Sequence, residues 1–244
     1  LTDLKEAEQL LHEGDPIVTG RTITELDDNG YLINRQLHLN YYAVKALQAR
    51  LYMWMGLYAE ALEAATEVIE SEAFSWSTPE NMERGYDRCL ADEHIFALNN
   101  LTLKADIADN YFSENSTNSF AINRERLLTY YDNATQDYRY TFLFKAGTGT
   151  TFENRYSTKY DESATSDNYY RYKMPLMRLP EMYLIKCEAE YRIAPTSDDA
   201  LSTLNTMRTY RNLTALQELP GDFYTELINE YRREFLGEGQ LFFL

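Results

Sequence analysis

The chain has 244 residues, 44% of them apolar, a formal net charge of −16 and a pI near 4.6. That length can bury one substantial core and permits one or two domains. So acidic a chain lacks the clustered Lys and Arg that nucleic-acid phosphates or an anionic membrane surface demand, whereas a neutral ligand such as a sugar is indifferent to the field. Residues 2–12 read as a short amphipathic helix with Leu4, Ala7, Leu10 and Leu11 on one side. Residues 13–36 read as an extended connector, broken by Gly14, Pro16, Gly20 and Asp28-Asn29-Gly30.

Residues 37–71 form the first predicted helical hairpin. Leu39, Ala43, Leu47, Leu51 and Trp54 recur at helical spacing, with Tyr42, Ala46, Ala49 and Met53 as a second stripe beside them. The first helix should therefore be buried over much of its circumference. Gly56 ends it, and Gly56-Leu57-Tyr58-Ala59 follows tetratricopeptide spacing near the turn. The partner helix carries Ala61, Leu62, Ala65, Val68 and Ile69, its small residues allowing close backbone approach.

From 72 to 175 the composition shifts to Asn, Asp, Ser, Thr and Tyr, and helical periodicity fades. Short strands are expected at 92–100, 138–144 and 169–174, and a helix near 121–130. Long structured loops of this kind are often functional. A second hairpin follows over 179–212, with Pro180 in its first turn, where a missing N–H costs nothing. A closing helix over 222–237 presents Phe223, Leu227, Ile228, Tyr231 and Phe235 and stops at Gly237. A helical pair this small cannot bury its apolar faces alone and must stack on something. The expected class is mainly α: tetratricopeptide-like hairpins in a single domain, with a loop-rich, ligand-facing insert carrying a few short strands.

Catalytic signatures are missing. The chain has no G-x-x-x-x-G-K or G-x-G-x-x-G phosphate loop, no H-E-x-x-H, no G-x-S-x-G and no C-x-x-C. No catalytic residue, metal ligand or cofactor is assigned. His12, His38 and His94 are isolated and read as surface or packing residues, and Cys89 and Cys187 as thiols outside any disulfide. Asp106 with Asp109, or Asp161 with Glu162, would serve a glycosidase only at a defined separation across a cleft; a solvated acidic face explains them better. Glu230, Arg232, Arg233 and Glu234, and likewise Arg178 and Glu181, read as ion pairs locking helices together. The most apolar stretch, 39–59, is interrupted by Lys45, Gln48 and Arg50 and does not read as a membrane span.

Aromatic residues in the polar middle remain. Trp76, Tyr86, Tyr111, Phe112, Tyr130 and Tyr131 lie where core periodicity is absent and are the candidate ligand-binding residues. Sugar rings stack their C–H faces on aromatic planes, and Asn110, Asn115, Arg124 and Asn133 are neighbours suited to hydroxyls.

Four segments, together about half of the chain, resemble the SusD/RagB family in its order. They are Lys45–Gly56 of the first hairpin, the extended "DEHIFAL", Arg178 with Glu181–Ala189 in "MPLMRLPEMYLIKCEAEYR", and the closing "INEYRREFLGEG". Cys187 stands where the family often has Ala, and Tyr231 where it has Glu or Arg. The resemblance implies a surface lipoprotein of the Bacteroidetes outer membrane. It also implies a tetratricopeptide-like scaffold that binds glycans, or peptides in some branches, without catalysis, as a lid on a SusC-like TonB-dependent transporter. Family members are about twice as long, so the lipid anchor and part of the ligand site are expected outside this chain. No binding residue carries over. A helical-repeat scaffold without a small ligand is the alternative.

Overall fold

The computed structural model describes residues 1–21, 31–162 and 168–243. Its helices are α1 (Thr2–Gly14), α2 (Pro16–Thr19), α3 (Tyr41–Met55), α4 (Tyr58–Glu70), α5 (Pro79–Glu83), α6 (Asp109–Tyr111), α7 (Arg124–Tyr130), α8 (Tyr138–Phe142), α9 (Leu179–Ile193), α10 (Asp199–Tyr210) and α11 (Phe223–Phe235). Its strands are β1 (His94–Asn99), β2 (Ile122–Asn123), β3 (Phe144–Ala146), β4 (Asn154–Ser157) and β5 (Lys173–Arg178). The fold is mainly helical with a few short strands, as the periodicity predicts. Two compact units result: Leu1–Ser75 with Glu93–Leu98 and Pro175–Leu204, and Trp76–Asp92 with Asn99–Met174 and Asn205–Leu244.

In the first unit, α3 and α4 are the predicted hairpin. Asn40 caps α3 by accepting from the Ala43 N–H at 2.9 Å, and its amide donates to the Arg35 and Ile95 carbonyls at 3.0 and 2.8 Å. Gly56 closes the helix at φ 71°, a left-handed turn that suits glycine. α4 packs on both α3 and α9. Ala43, Ala46, Ala49, Ala61, Ala65 and Ala189 are all fully buried and set that close spacing.

The buried face of α3 differs from the predicted stripe: Leu39 falls before the helix and is 45% exposed, Trp54 is 79% exposed, and Lys45 and Gln48 are inside. The physical reason is a polar network. Lys45 Nζ lies 2.9 Å from Glu8 and 2.8 Å from Glu67, and Gln48 donates to Glu8 at 2.8 Å. These partners satisfy the two polar groups and so permit their burial. Arg178 and Glu181 are ion-paired as expected, with partners from elsewhere in the unit. Arg178 meets Glu93 at 2.8 Å with both side chains fully enclosed, and Glu181 accepts from Arg50 at 2.7 Å.

The predicted connector is not wholly extended. Asp15 caps α2 through the Ile17 N–H and binds Arg35 at 2.8 and 3.0 Å, so a short helix and a 3₁₀ turn over Arg35–Leu37 form there. Asp28-Asn29-Gly30 lie outside the described residues.

In the second unit, β2, β4 and β3 make an antiparallel sheet, with Ile122 opposite Arg155 and Phe144 opposite Ser157. The strand predicted over 138–144 is helix α8 followed by the start of β3. Asp137 caps α8 by accepting from the Arg139 N–H at 2.8 Å, and Arg139 is an inward residue that the alternation treats as outward. The strand predicted over 169–174 is displaced: a 3₁₀ turn through Asn168–Tyr170 precedes β5. The strand at 92–100 and the helix near 121–130 are present as β1 and α7.

The core of this unit contains a buried charge cluster. Arg139 lies 2.7 Å from Asp137, 3.0 Å from Glu230 and 2.9 Å from Glu234. Arg211 lies 2.7 Å from Glu234, and Arg233 lies 2.6 Å from Glu230. This is the helix-locking ion-pair set expected of Glu230, Arg233 and Glu234, with Asp137, Arg139 and Arg211 as further members; Arg232 is exposed.

Candidate functional site

Tyr111 ends α6, which continues from a π-helical turn over Lys104–Ala108. Such turns are rare and occur frequently at functional sites. Lys104 pins this one, pairing with Asp109 at 3.0 Å and Asp161 at 2.7 Å. After Tyr111 the chain makes a polar surface loop and returns at Phe120, whose N–H donates to the Tyr111 carbonyl at 2.7 Å. The Ser116 hydroxyl donates to the Asn110 carbonyl at 2.5 Å. A compact loop with joined ends is the geometry of Ω-loops, which are frequently functional.

Closing the loop brings two rings together. Tyr111 and Phe120 stack with centroids 5.4 Å apart and planes at 13°. Tyr111 is 37% exposed and Phe120 65%. Asn115 and Asn118 are exposed in the same loop, and neither side-chain amide has a hydrogen-bond partner among the described residues. Asn110 spends its amide on the Ala105 and Asp106 carbonyls. The result is a flat apolar surface with amides nearby, which suits the C–H faces and hydroxyls of a sugar.

The other predicted residues lie elsewhere. Trp76 is half-buried, stacked on Tyr210 at 4.8 Å with the Arg211 guanidinium 4.7 Å from its ring. Tyr86 lines a cavity of about 10 Å³ with Cys89 and Glu162, room for one water and not for a sugar. Phe112 stacks on Tyr160 at 6.4 Å and packs on the cluster of Cys89, Ala91, Leu103 and Ala108. Tyr130 is half-buried, and burial pushes its hydroxyl up to about 12. Tyr131 is buried, and its hydroxyl donates to the Arg233 carbonyl at 3.1 Å, so its ring has no face left for a ligand. Of the six, only Tyr111 is itself exposed, although Tyr210, the stacking partner of Trp76, is 46% exposed; Phe120, the partner of Tyr111, was not singled out by the sequence. The signal was a run rich in Ser and Asn flanked by aromatics at both ends.

The acidic pairs are engaged. Asp109 and Asp161 hold Lys104, Asp106 accepts from the Thr102 hydroxyl at 2.5 Å, and Glu162 accepts from the Tyr172 N–H. Among the described residues, no group of three or more His, Cys, Asp or Glu is placed to hold a metal ion. No helix among them is long and apolar enough to cross a membrane.

The model of the SusD family matches residues 49–243. Solved structures share the fold. A SusD superfamily protein from Bacteroides thetaiotaomicron superposes with a TM-score of 0.70 at 19% identity, covering 91% of this chain and 52% of that one. A SusD-like carbohydrate binding protein from Bacteroides vulgatus gives 0.67 at 18% identity, covering 98% and 48%. This chain thus spans about half the length of those structures. No curated protein matches it.

Proposed function

The chain belongs to the SusD family, and from that membership we propose that it binds oligosaccharide or polysaccharide nutrients without catalysis. It does so at the outer face of the outer membrane and passes them to a SusC-like TonB-dependent transporter. The observation that carries the reading is the exposed, parallel Tyr111–Phe120 stack on a polar loop. Sugar C–H faces cover the rings, and the Asn115 and Asn118 amides meet hydroxyls. Each such contact is weak, so affinity grows with the length of glycan engaged. The acidic surface repels anionic sugars and leaves neutral ones unaffected.

A second reading, a peptide-binding or scaffold protein, draws on the exposed Trp54 and Met55 at the end of α3. Calorimetry of the full-length protein against neutral polysaccharides, acidic polysaccharides and unstructured peptides separates the two. Heat with a neutral glycan that disappears in the Tyr111→Ala/Phe120→Ala double variant supports the first. Binding to peptides alone, or glycan binding indifferent to the double variant, refutes it.

A further inference from the structure

The loop that carries Tyr111 and Phe120 is tied to a second one. Glu114, within it, accepts from the Thr148 N–H at 2.7 Å, the Thr148 hydroxyl at 3.1 Å and the Thr151 hydroxyl at 3.1 Å. All three donors belong to the turn joining β3 to β4. The Gly147 N–H donates to the Asn154 carbonyl at 3.1 Å, closing that turn. A Cβ at Gly147 would fall 2.3 Å from the Thr151 carbonyl oxygen, so the turn admits only glycine there. The residue after Thr151 is Phe152, which is 56% exposed. Donation from the Thr148 backbone holds the Glu114 carboxyl below the usual carboxylate range, so it is ionised at neutral pH.

We propose that Glu114 clamps this turn to the aromatic loop, making Phe152 a further stacking surface alongside Tyr111 and Phe120 for a saccharide longer than one ring. The inference rests on the saccharide reading above. One sugar ring covers one aromatic surface. A chain of sugars gains from a second surface only when the spacing between the two is fixed before binding, because ordering two loops would otherwise consume the gain. A carboxylate shared among three donors supplies that order.

The test titrates full-length wild type, Phe152→Ala, Phe120→Ala and Glu114→Ala with linear hexasaccharides of glucose, xylose and mannose and with the matching monosaccharides. Phe152→Ala is expected to bind its hexasaccharide about tenfold more weakly, the size of one lost ring contact, with monosaccharide binding unchanged. Glu114→Ala is expected to show a similar loss and faster amide hydrogen exchange at Thr148 and Phe120. Equal hexasaccharide affinity in Phe152→Ala and wild type, with weakened binding in Phe120→Ala, overturns the composite surface and leaves the saccharide reading standing. Indifference of both Phe variants, or silence of the wild type toward every sugar, overturns the saccharide reading and Phe152's role with it. Unchanged exchange at Thr148 in Glu114→Ala overturns the clamp.

Discussion

Arg139→Met removes the one guanidinium that Asp137, Glu230 and Glu234 share. All four side chains are at most 2% exposed, so the three carboxylates cannot turn to water. Deleting one partner of a buried ion pair costs about 3–5 kcal/mol. The cost does not triple here, because each carboxylate keeps a donor: Arg233 at 2.6 Å for Glu230, Arg211 at 2.7 Å for Glu234, and the residue-139 N–H at 2.8 Å for Asp137. A loss of about 4 kcal/mol follows, and for a chain of this size that lowers Tm by roughly 8–16 °C. The loss also depends on pH. Burial pushes the Glu230 carboxyl up, but the Arg139 and Arg233 guanidiniums outweigh burial and hold it below the usual range. A depressed folded pKa contributes stability above the unfolded carboxylate value and loses it as pH falls through the folded one. Without Arg139 the burial effect gains ground and the Glu230 pKa climbs, so the variant's deficit narrows from neutral pH toward about pH 5. Calorimetric melts of both proteins at the two pH values measure this. A deficit below about 1 kcal/mol, or one identical at both values, refutes the reasoning.

Asn40→Ala removes the α3 cap and leaves the buried Arg35 and Ile95 carbonyls without their amide donor; urea unfolding should show a loss of about 2–4 kcal/mol. Gly147→Ala forces the β3–β4 turn open, with an overpacking cost of about 1–3 kcal/mol and faster exchange at the Thr148 amide. Cys89 and Cys187 are both buried, and burial pushes the Cys89 thiol well up. Ellman's reagent should therefore leave the native protein unlabelled and titrate both thiols in guanidinium. Binding of a neutral glycan should be insensitive to added salt, whereas any binding of polygalacturonate should strengthen as salt screens the acidic surface; the reverse order in calorimetry contradicts the electrostatic reading.

Helical periodicity and punctuation carried most of the frame. Gly56 and Pro180 stand where a stop and a start are seen, and the small residues facing α4 mark its buried side. What hid was set by partners distant in sequence. Lys45 and Gln48 look like solvent-facing residues until Glu8 and Glu67 arrive to satisfy them. Arg139 makes 138–144 look like an alternating strand, although its guanidinium is held by carboxylates some ninety residues later. In the candidate site, residue type alone could not separate Tyr131, enclosed by its unit, from Tyr111, exposed at the mouth of a loop. Phe120 gains its role from a backbone hydrogen bond that returns the chain to Tyr111, and no local spacing announces that closure.

The charge cluster also dictates an order of manufacture. Arg139 leaves the ribosome 91 positions ahead of Glu230, a wait of about 5–18 s at ordinary elongation speeds. Through that interval its guanidinium has Asp137 and the face of the Tyr131 ring for company, but neither of its glutamates. The charge core of the second unit is therefore incomplete until α11 has been made.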